Sequence, residues 1–356
     1  MNYIGRKYTL LPFLQDAILS RVGRRRGVFC DIFAGTGVVG HHFKSFGFKI
    51  VANDIQYYAY CLNKTSVCSN RAPRFANVAR SAKAGFRSGV ERTLTFLNRL
   101  PGIEGFIFQN YCPGGSGSGH SRMYFSDDNG KRCDAIRKRI ETWHKRGKLT
   151  EGEYVYLIAS LLDAADRVAN TASVYAAYLK RLKKTALKPL TLEAVPLIRT
   201  TLRHKAYNED GLDLVKKITC DVLYMDPPYN QRQYCSNYHI LETIARFDKP
   251  KIYGVTGLRP HQAQKSSFCV KAQALSSLEK MVHDTVARHV FLSYNSEGIM
   301  SREAIWKTLE KFGSVDVEMC EHSRFRADLD SHNRVYKSDR VNEYLFCLRK
   351  DRRRSR

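Results

Sequence analysis

The sequence predicts an α/β fold, a doubly wound and mostly parallel sheet interrupted by a basic, mostly helical insertion. Three stretches carry that prediction. A strand from Val28 to Phe33 runs into the glycine-rich turn Ala34-Gly35-Thr36-Gly37-Val38-Val39-Gly40 and then into a helical segment reaching Phe46. A second strand, Lys49 to Asp54, ends on an acid about 20 residues beyond the glycines, the spacing of the first half of a doubly wound sheet. A third strand, Asp221 to Met225, stops abruptly at Asp226-Pro227-Pro228-Tyr229. Proline has no N–H and a fixed φ, so the ladder cannot continue through it. One carboxylate, one carbonyl and one ring are left over the carboxyl edge of the sheet, the edge where open α/β sheets bind ligands.

Asn2 to Tyr8 is a polar, aromatic loop, and Leu10, Leu11, Phe13, Leu14, Ala17 and Ile18 after it have helical spacing. The arginines from Arg21 to Arg26 read as a solvated run. Glycines at the first strand-to-helix turn let a ligand approach the backbone closely. The turn lacks the Gly-Lys-Ser/Thr of a Walker loop. Gly35-x-Gly37-x-x-Gly40 fits a dinucleotide fingerprint literally, but Asp31 before it and Phe33-Ala34-Gly35-Thr36-Gly37 point to S-adenosyl-L-methionine, with Asp54 taking its ribose hydroxyls. The alternative is a plain packing turn.

From residue 75 to about 200 the chain is basic and reads as mostly helical. Phe106 to Tyr111 is aromatic-rich. Cys112 to Phe125 holds a Gly-Ser run flanked by Arg122 and aromatics, which reads either as a disordered surface loop or as a segment that orders on DNA. Ile136, Ile140 and Trp143 share one helical face, and Tyr154, Leu157, Ile158, Leu161, Leu162 and Ala165 share another; both stripes are core. Lys180, Arg181, Lys183 and Lys184 lie among tyrosines, and with Arg122 and Arg232 they are the candidates for phosphate contact.

The α/β rhythm resumes near Tyr207-Asn208-Glu209-Asp210 and leads by a helix to the Asp226 strand. Leu241 to Phe247 is a short helix, Gly254 to Arg259 a loop, and His289 to Tyr294 a buried strand. Val315 to Cys320 and Glu343 to Leu348 are two more strands, joined by a basic linker from Arg324 to Arg340, and Arg352 to Arg356 is a disordered basic tail. The expected domains are 1–75 with 200–356, holding the cofactor and the chemistry, and an inserted 76–199.

Lys and Arg number 59 against 34 Asp and Glu, a net charge of +25 that suits a polyanionic partner such as nucleic acid. No apolar run nears the ~18 residues of a membrane span, and the amino terminus does not resemble a signal peptide. The ten cysteines are scattered without a Cys-x-x-Cys pair, so no zinc site is expected and the protein reads as reduced and cytoplasmic.

The proline corner has a specific chemical use. An exocyclic amine on a nucleobase is a poor nucleophile, because its lone pair is delocalised into the ring. The Asp226 carboxylate and the Pro227 carbonyl, set against its two N–H groups, would draw the nitrogen toward tetrahedral geometry. Tyr229 would stack on the base, and the stiff Pro227-Pro228 turn holds the acceptors still. The plain alternative is a strand-ending turn.

Three stretches together resemble one family, the Dam-like D12 class of DNA adenine N6-methyltransferases of bacterial restriction-modification type. An aromatic-Gly-Lys segment comes first, here Tyr3-Ile4-Gly5-Arg6-Lys7; Phe33-Ala34-Gly35-Thr36-Gly37 follows; Asp226-Pro227-Pro228-Tyr229 comes last, after an insertion. That order is the family's α arrangement. The resemblance implies a Rossmann-like S-adenosylmethionine-dependent methyltransferase sheet with an inserted target-recognition domain. It implies that Tyr3 and Lys7 contact the methionine part of the cofactor and that Asp54 binds its ribose. Asp210 would sit near its adenine, and Asp226 would touch both cofactor and target amine. The substrate would be an adenine flipped out of duplex DNA, which costs a few kcal/mol of unstacking, with a cognate restriction endonuclease as a functional partner. His239 and Glu242 are expected to be structural. The rivals are an RNA N6-adenine or N2-guanine methyltransferase, an N4-cytosine enzyme, and a non-catalytic DNA-binding module.

Overall fold

The computed structural model describes residues 7–23, 27–78, 88–117, 119–323 and 340–351. Tyr3, the arginines at 24–26, the linker at 324–339 and the tail at 352–356 lie outside the described residues. Backbone packing groups the chain into two compact units. One comprises Gly5–Asn63, Thr200–Tyr234 and Ala263–Arg356; the other comprises Lys64–Arg199 and Cys235–Gln262.

The first unit is built on β1 (Val28–Asp31), β2 (Lys49–Asn53), β3 (Lys205–Tyr207), β4 (Val222–Met225), β5 (His289–Asn295), β6 (Gly313–Ser323) and β7 (Arg340–Lys350). Their order is β3-β2-β1-β4-β5-β7-β6. β7 runs antiparallel to both its neighbours and every other pairing is parallel. The central strands β1, β2, β4 and β5 are buried on both faces, which explains their near-continuous apolar runs. On one face Cys30, Leu223, Met225, Val290 and Leu292 pack with residues of α11 (Lys271–Asp284) and α12 (Arg302–Leu309). On the other, Phe29 stacks at 4.4 Å on Phe43 of α2 (Val38–Ser45) and meets Phe48 edge-on. α1 (Leu11–Val22), with a proline in its first turn and Gly23 left-handed at its end, follows the spacing seen in the sequence. α3 (Tyr57–Ser66) follows β2.

The second unit carries α4 (Gly89–Asn98), α5 (Phe106–Tyr111), α6 (Asp127–Lys145), α7 (Glu151–Arg167) and α10 (His239–Arg246). α8 (Gly211–Leu214) belongs to the sheet unit, and α9 (Tyr234–Asn237) starts where the chain re-enters the second. The stripes expected to be core are core: Ile136, Ile140, Leu157, Ile158, Leu161 and Leu162 are buried. Residues 235–262, far downstream in sequence, pack with the insertion. Arg137 helps to bind them: its guanidinium donates to the Ile244 and Ala245 carbonyls at 2.9 and 3.0 Å, capping the carboxyl end of α10, and also reaches Tyr154 and Glu141. Arg137→Met leaves those buried acceptors unpaired and is expected to destabilise the protein by about 3 kcal/mol, read as an earlier thermal transition.

The expectation of a mostly helical insertion fails for residues 169–204, which form neither helix nor strand. Side-chain amides hold this run in place of a ladder. Asn170 donates to Met123 O and Leu179 O and accepts from Lys183 N–H; Asn129 donates to Ala186 O and Lys188 O and accepts from Leu190 N–H; Asn98 pairs with both backbone groups of Leu192. An asparagine presents a donor and an acceptor much as a neighbouring backbone does. The Gly-Ser loop is likewise tied down on both sides of residue 118: before it Gly114 N–H donates to Asp127 at 2.8 Å and Gly117 N–H to Gln109 O at 3.0 Å, and after it the Ser121 hydroxyl donates to Pro113 O at 3.3 Å. A Cβ at Gly115 would lie 2.3 Å from Phe108 O, so glycine there answers to close packing. Among the described residues no helix is long and apolar enough to cross a membrane.

Candidate active site

The strand order reverses between β1 and β4, which are paired so that Asp31 lies opposite Tyr224. Each strand leaves the sheet just beyond that pair, β1 into the glycine turn and β4 into Asp226-Pro227-Pro228. The two motifs therefore stand side by side at the switch point of the sheet, the place where a doubly wound fold opens a crevice.

Asp226 is fixed by Lys7. The Lys7 ammonium, 5 % exposed, lies 3.2 Å from Asp226 Oδ1 and 3.2 Å from Oε2 of Glu343 on β7. Burial works to lower the Lys7 pKa, but the carboxylates of Asp226 and Glu343 outweigh it and hold the ammonium firmly protonated. Asp226 moves the other way. Burial, with Glu343 adding to it, outweighs Lys7 and raises the carboxyl to about 6. Glu343 in turn accepts from Asn295, its partner across β5 and β7, at 3.4 Å.

Tyr229 is held through its backbone. Its carbonyl accepts from Ile299 N–H at 2.9 Å and from the Tyr294 hydroxyl at 3.4 Å, and its half-buried ring meets Tyr294 edge-on. The loop after β5 is thus the brace for the proline corner, and the Tyr294 hydroxyl also accepts from Met300 N–H. Pro227 is buried and Pro228 half-buried.

On the neighbouring strand, Asp31 is fully enclosed. Burial raises its pKa well above the usual carboxylate range, and the nearby charges of Asp226 and Asp54 push it further, against a Gly40 N–H that lowers it. Its Oδ1 has no hydrogen-bond partner. Gly35 and Gly37 take φ of +51° and +80°, so each uses a conformation that a side chain would strain. The Gly35 N–H donates to Asp54 Oδ2 at 2.9 Å, and Gln56 N–H donates to Oδ1, so Asp54 closes the turn itself. Phe33 packs edge-on against Phe268 at 5.2 Å. Asp210 is exposed beyond β3 at the same sheet edge, capping α8 through Leu212 N–H.

The basic candidates separate. Lys180, Arg181, Lys184 and Arg232 are exposed. Lys183 is half-buried and donates to Thr171 O at 2.6 Å. Arg122 corrects the expectation of phosphate contact: it is 1 % exposed, and its guanidinium donates to the carbonyls of Asn110, Gly254 and Val255. A rigid planar fork suits three backbone oxygens as well as it suits a phosphate, and sequence alone does not separate the two uses. His239 is also structural, with its ring nitrogens 2.9 and 3.1 Å from the carbonyls of Ser236 and Thr256.

Sequence reasoning missed Glu343, Asn53 and Asn63. Asn53 donates to Ile32 O and Glu209 O and accepts from Glu209 N–H, tying the ends of β1 and β3; Asn63 donates to Gly35 O. The only signal for Glu343 was an acid placed beside the buried positions of its strand, which a solvated edge also shows.

A family model described as D12 class N6 adenine-specific DNA methyltransferase matches residues 3–308. Among curated proteins, the chain is 43% identical to the type II methyltransferase M.NlaIII of Neisseria lactamica, over 98% of this chain and 99% of that one. It is 34% identical to the type II methyltransferase M.CviAII of Paramecium bursaria Chlorella virus 1, over 98% of each. It is 35% identical to M.FokI of Planomicrobium okeanokoites, where the match takes 99% of this chain but 53% of that protein, about half its length. The order of motifs, their placement side by side at the β1–β4 switch and a match across most of the chain agree, and the chain belongs to the D12 class N6 adenine-specific DNA methyltransferases.

Proposed function

We propose that this protein transfers a methyl group from S-adenosyl-L-methionine to N6 of an adenine flipped out of a specific site in duplex DNA. The observation that carries the reading is the Asp226 carboxylate, fixed by buried Lys7 at the switch point next to an enclosed, unpartnered oxygen of Asp31. The cofactor fits these residues on electrostatic grounds. Beyond its burial, Asp226 and Asp54 raise the cost of ionising Asp31, and a ligand carrying an ammonium and a sulfonium would offset it. The left-handed Gly35 and Gly37 let a ligand lie against the backbone. When bound, the sulfonium supplies an electrophilic methyl group.

The remaining work belongs to the chain. Asp226 and the Pro227 carbonyl accept the two N–H groups of the target amine and localise its lone pair. Tyr229, braced by Ile299 and Tyr294, stacks on the flipped base. Asp54 and Asp210 orient the ribose and adenine ends of the cofactor, with Phe33 against it and Lys7 near its methionine part. The unit of Lys64–Arg199 and Cys235–Gln262 is the target-recognition part, and Lys180, Arg181 and Lys184 on it meet phosphates, as does Arg232 of the sheet unit. A cytoplasmic location and a cognate endonuclease acting on the same site complete the reading.

The test is methyl transfer by the purified protein to plasmid DNA from a host without adenine methylation, beside ribosomal RNA. N6-methyladenine at one sequence in the DNA is expected, with heat of S-adenosyl-L-methionine binding in calorimetry. Methylation confined to RNA, or no binding heat, defeats the proposal.

A further inference from the structure

The loop before Pro260 is built from the inside in an unusual way. Residues Tyr253 and Leu258 pair by two backbone bonds of 2.8 and 2.9 Å and close a tight turn. All four carbonyls between them are held by buried side chains of the same unit. Arg122 donates to Gly254 O and Val255 O at 2.8 Å each, His239 Nε2 sits 3.1 Å from Thr256 O, and the Tyr111 hydroxyl donates to Gly257 O at 2.9 Å. Gly254 and Gly257 are left-handed, and a Cβ on Gly257 would lie 2.9 Å from both Arg122 and the Tyr111 ring. Two non-glycine residues, Phe247 and Lys249, enter the loop at φ of 53° and 48°, a strained approach that the surrounding packing must impose.

With the carbonyls turned inward, the side chains face out. Val255 is 62 % exposed and Tyr253 52 %, both large and apolar. Lys249 and Lys251 beside them are exposed, and the Lys251 ammonium lies 5.7 Å from the Tyr253 ring centroid. A stiffened turn that offers an aromatic ring and an aliphatic tip, flanked by cations, matches a polyanion with stackable or methyl-bearing bases. An acidic peptide would use the lysines but not the rigid apolar tip.

We infer that the clamped turn Tyr253–Leu258 is a DNA-reading finger of the recognition unit, in which Val255 and Tyr253 contact bases and Lys249 and Lys251 contact phosphates. The inference rests on the DNA-methylating function proposed above and adds to the recognition surface a segment that lies beyond the catalytic motif in sequence. Rigidity lowers the entropy lost on binding, which gives Arg122, His239 and Tyr111 a positioning role at one remove from the substrate.

The test compares wild-type protein with Val255→Ala, Tyr253→Ala, their double variant and Lys251→Ala. The probes are the unmethylated plasmid and a short duplex bearing the sequence that the wild type methylates in it. The double variant is expected to lose about tenfold or more in kcat/KM on the duplex and to spread its methylation over additional sequence contexts, with an unchanged thermal transition. Lys251→Ala should weaken all sequences alike and lessen the salt dependence. Val255→Glu, bringing a carboxylate into the negative field of the duplex, should lose more than Val255→Ala. Variants that keep wild-type rates and wild-type sites overturn the finger while leaving the methyltransferase assignment in place. A wild-type protein that leaves plasmid DNA unmethylated overturns both.

Discussion

Asp226→Ala is expected to lower kcat by about 10²–10³-fold while duplex DNA still binds with little change in affinity. The size of the effect follows from what the carboxylate does. It is a preorganised acceptor in a partly dehydrated site, and the loss of one such group costs about 3–4 kcal/mol of transition-state stabilisation. DNA affinity is insulated because it derives from phosphate contacts elsewhere. Folding is insulated too, since Lys7 keeps Glu343 as a partner. Asp226→Asn keeps the shape and one acceptor oxygen and should fall between wild type and alanine. Radiolabelled methyl transfer and fluorescence anisotropy on the same duplex separate the two quantities, and wild-type turnover in Asp226→Ala would rule out the assigned role.

Lys7→Met is expected to lower kcat/KM by about 10²-fold, because the acceptor it removes from place must be held to a fraction of an ångström. The loss should also change with pH in a defined direction. Burial raises Asp226 to about 6, Lys7 opposes the rise and Glu343 adds to it. The ionised carboxylate is the working form, so in the wild type kcat/KM for the methyl donor should rise with pH through about 6, reporting the free enzyme. Without the Lys7 cation the carboxyl climbs further, and the acid limb moves to higher pH. Glu343→Gln removes a like charge, and the limb moves to lower pH. The buried acceptors left by Lys7→Met should also lower stability by ~1–3 kcal/mol. A limb that stays put in both variants would separate the measured ionisation from Asp226.

Much of this protein is legible without coordinates, for particular reasons. The strand at Val28, the turn at Gly35 and the second strand ending at Asp54 announce themselves by apolar runs and by closely spaced glycines, two of which, Gly35 and Gly37, have a left-handed φ in the structure. The β4 stop at Asp226 follows from proline's missing N–H. Elsewhere the same residue types have two uses. Arginine among aromatics at 122 looked like a phosphate ligand and is a buried clamp on carbonyls. The basic run after Tyr175 looked helical in composition, but its shape is set by Asn98, Asn129 and Asn170, whose amides bond to backbone many residues away.

The sequence by itself determined the local features: which segments become strands, where they must stop, and which acids stand at their ends. These depend on side-chain periodicity and backbone sterics, which act over a few residues. Tertiary structure alone decided that Glu343 shares Lys7 with Asp226 from 117 residues further along the chain, and that residues 235–262 fold with the insertion. Those outcomes turn on long-range electrostatics and packing, where a charge finds its partner in space, and separation along the chain carries no record of that distance.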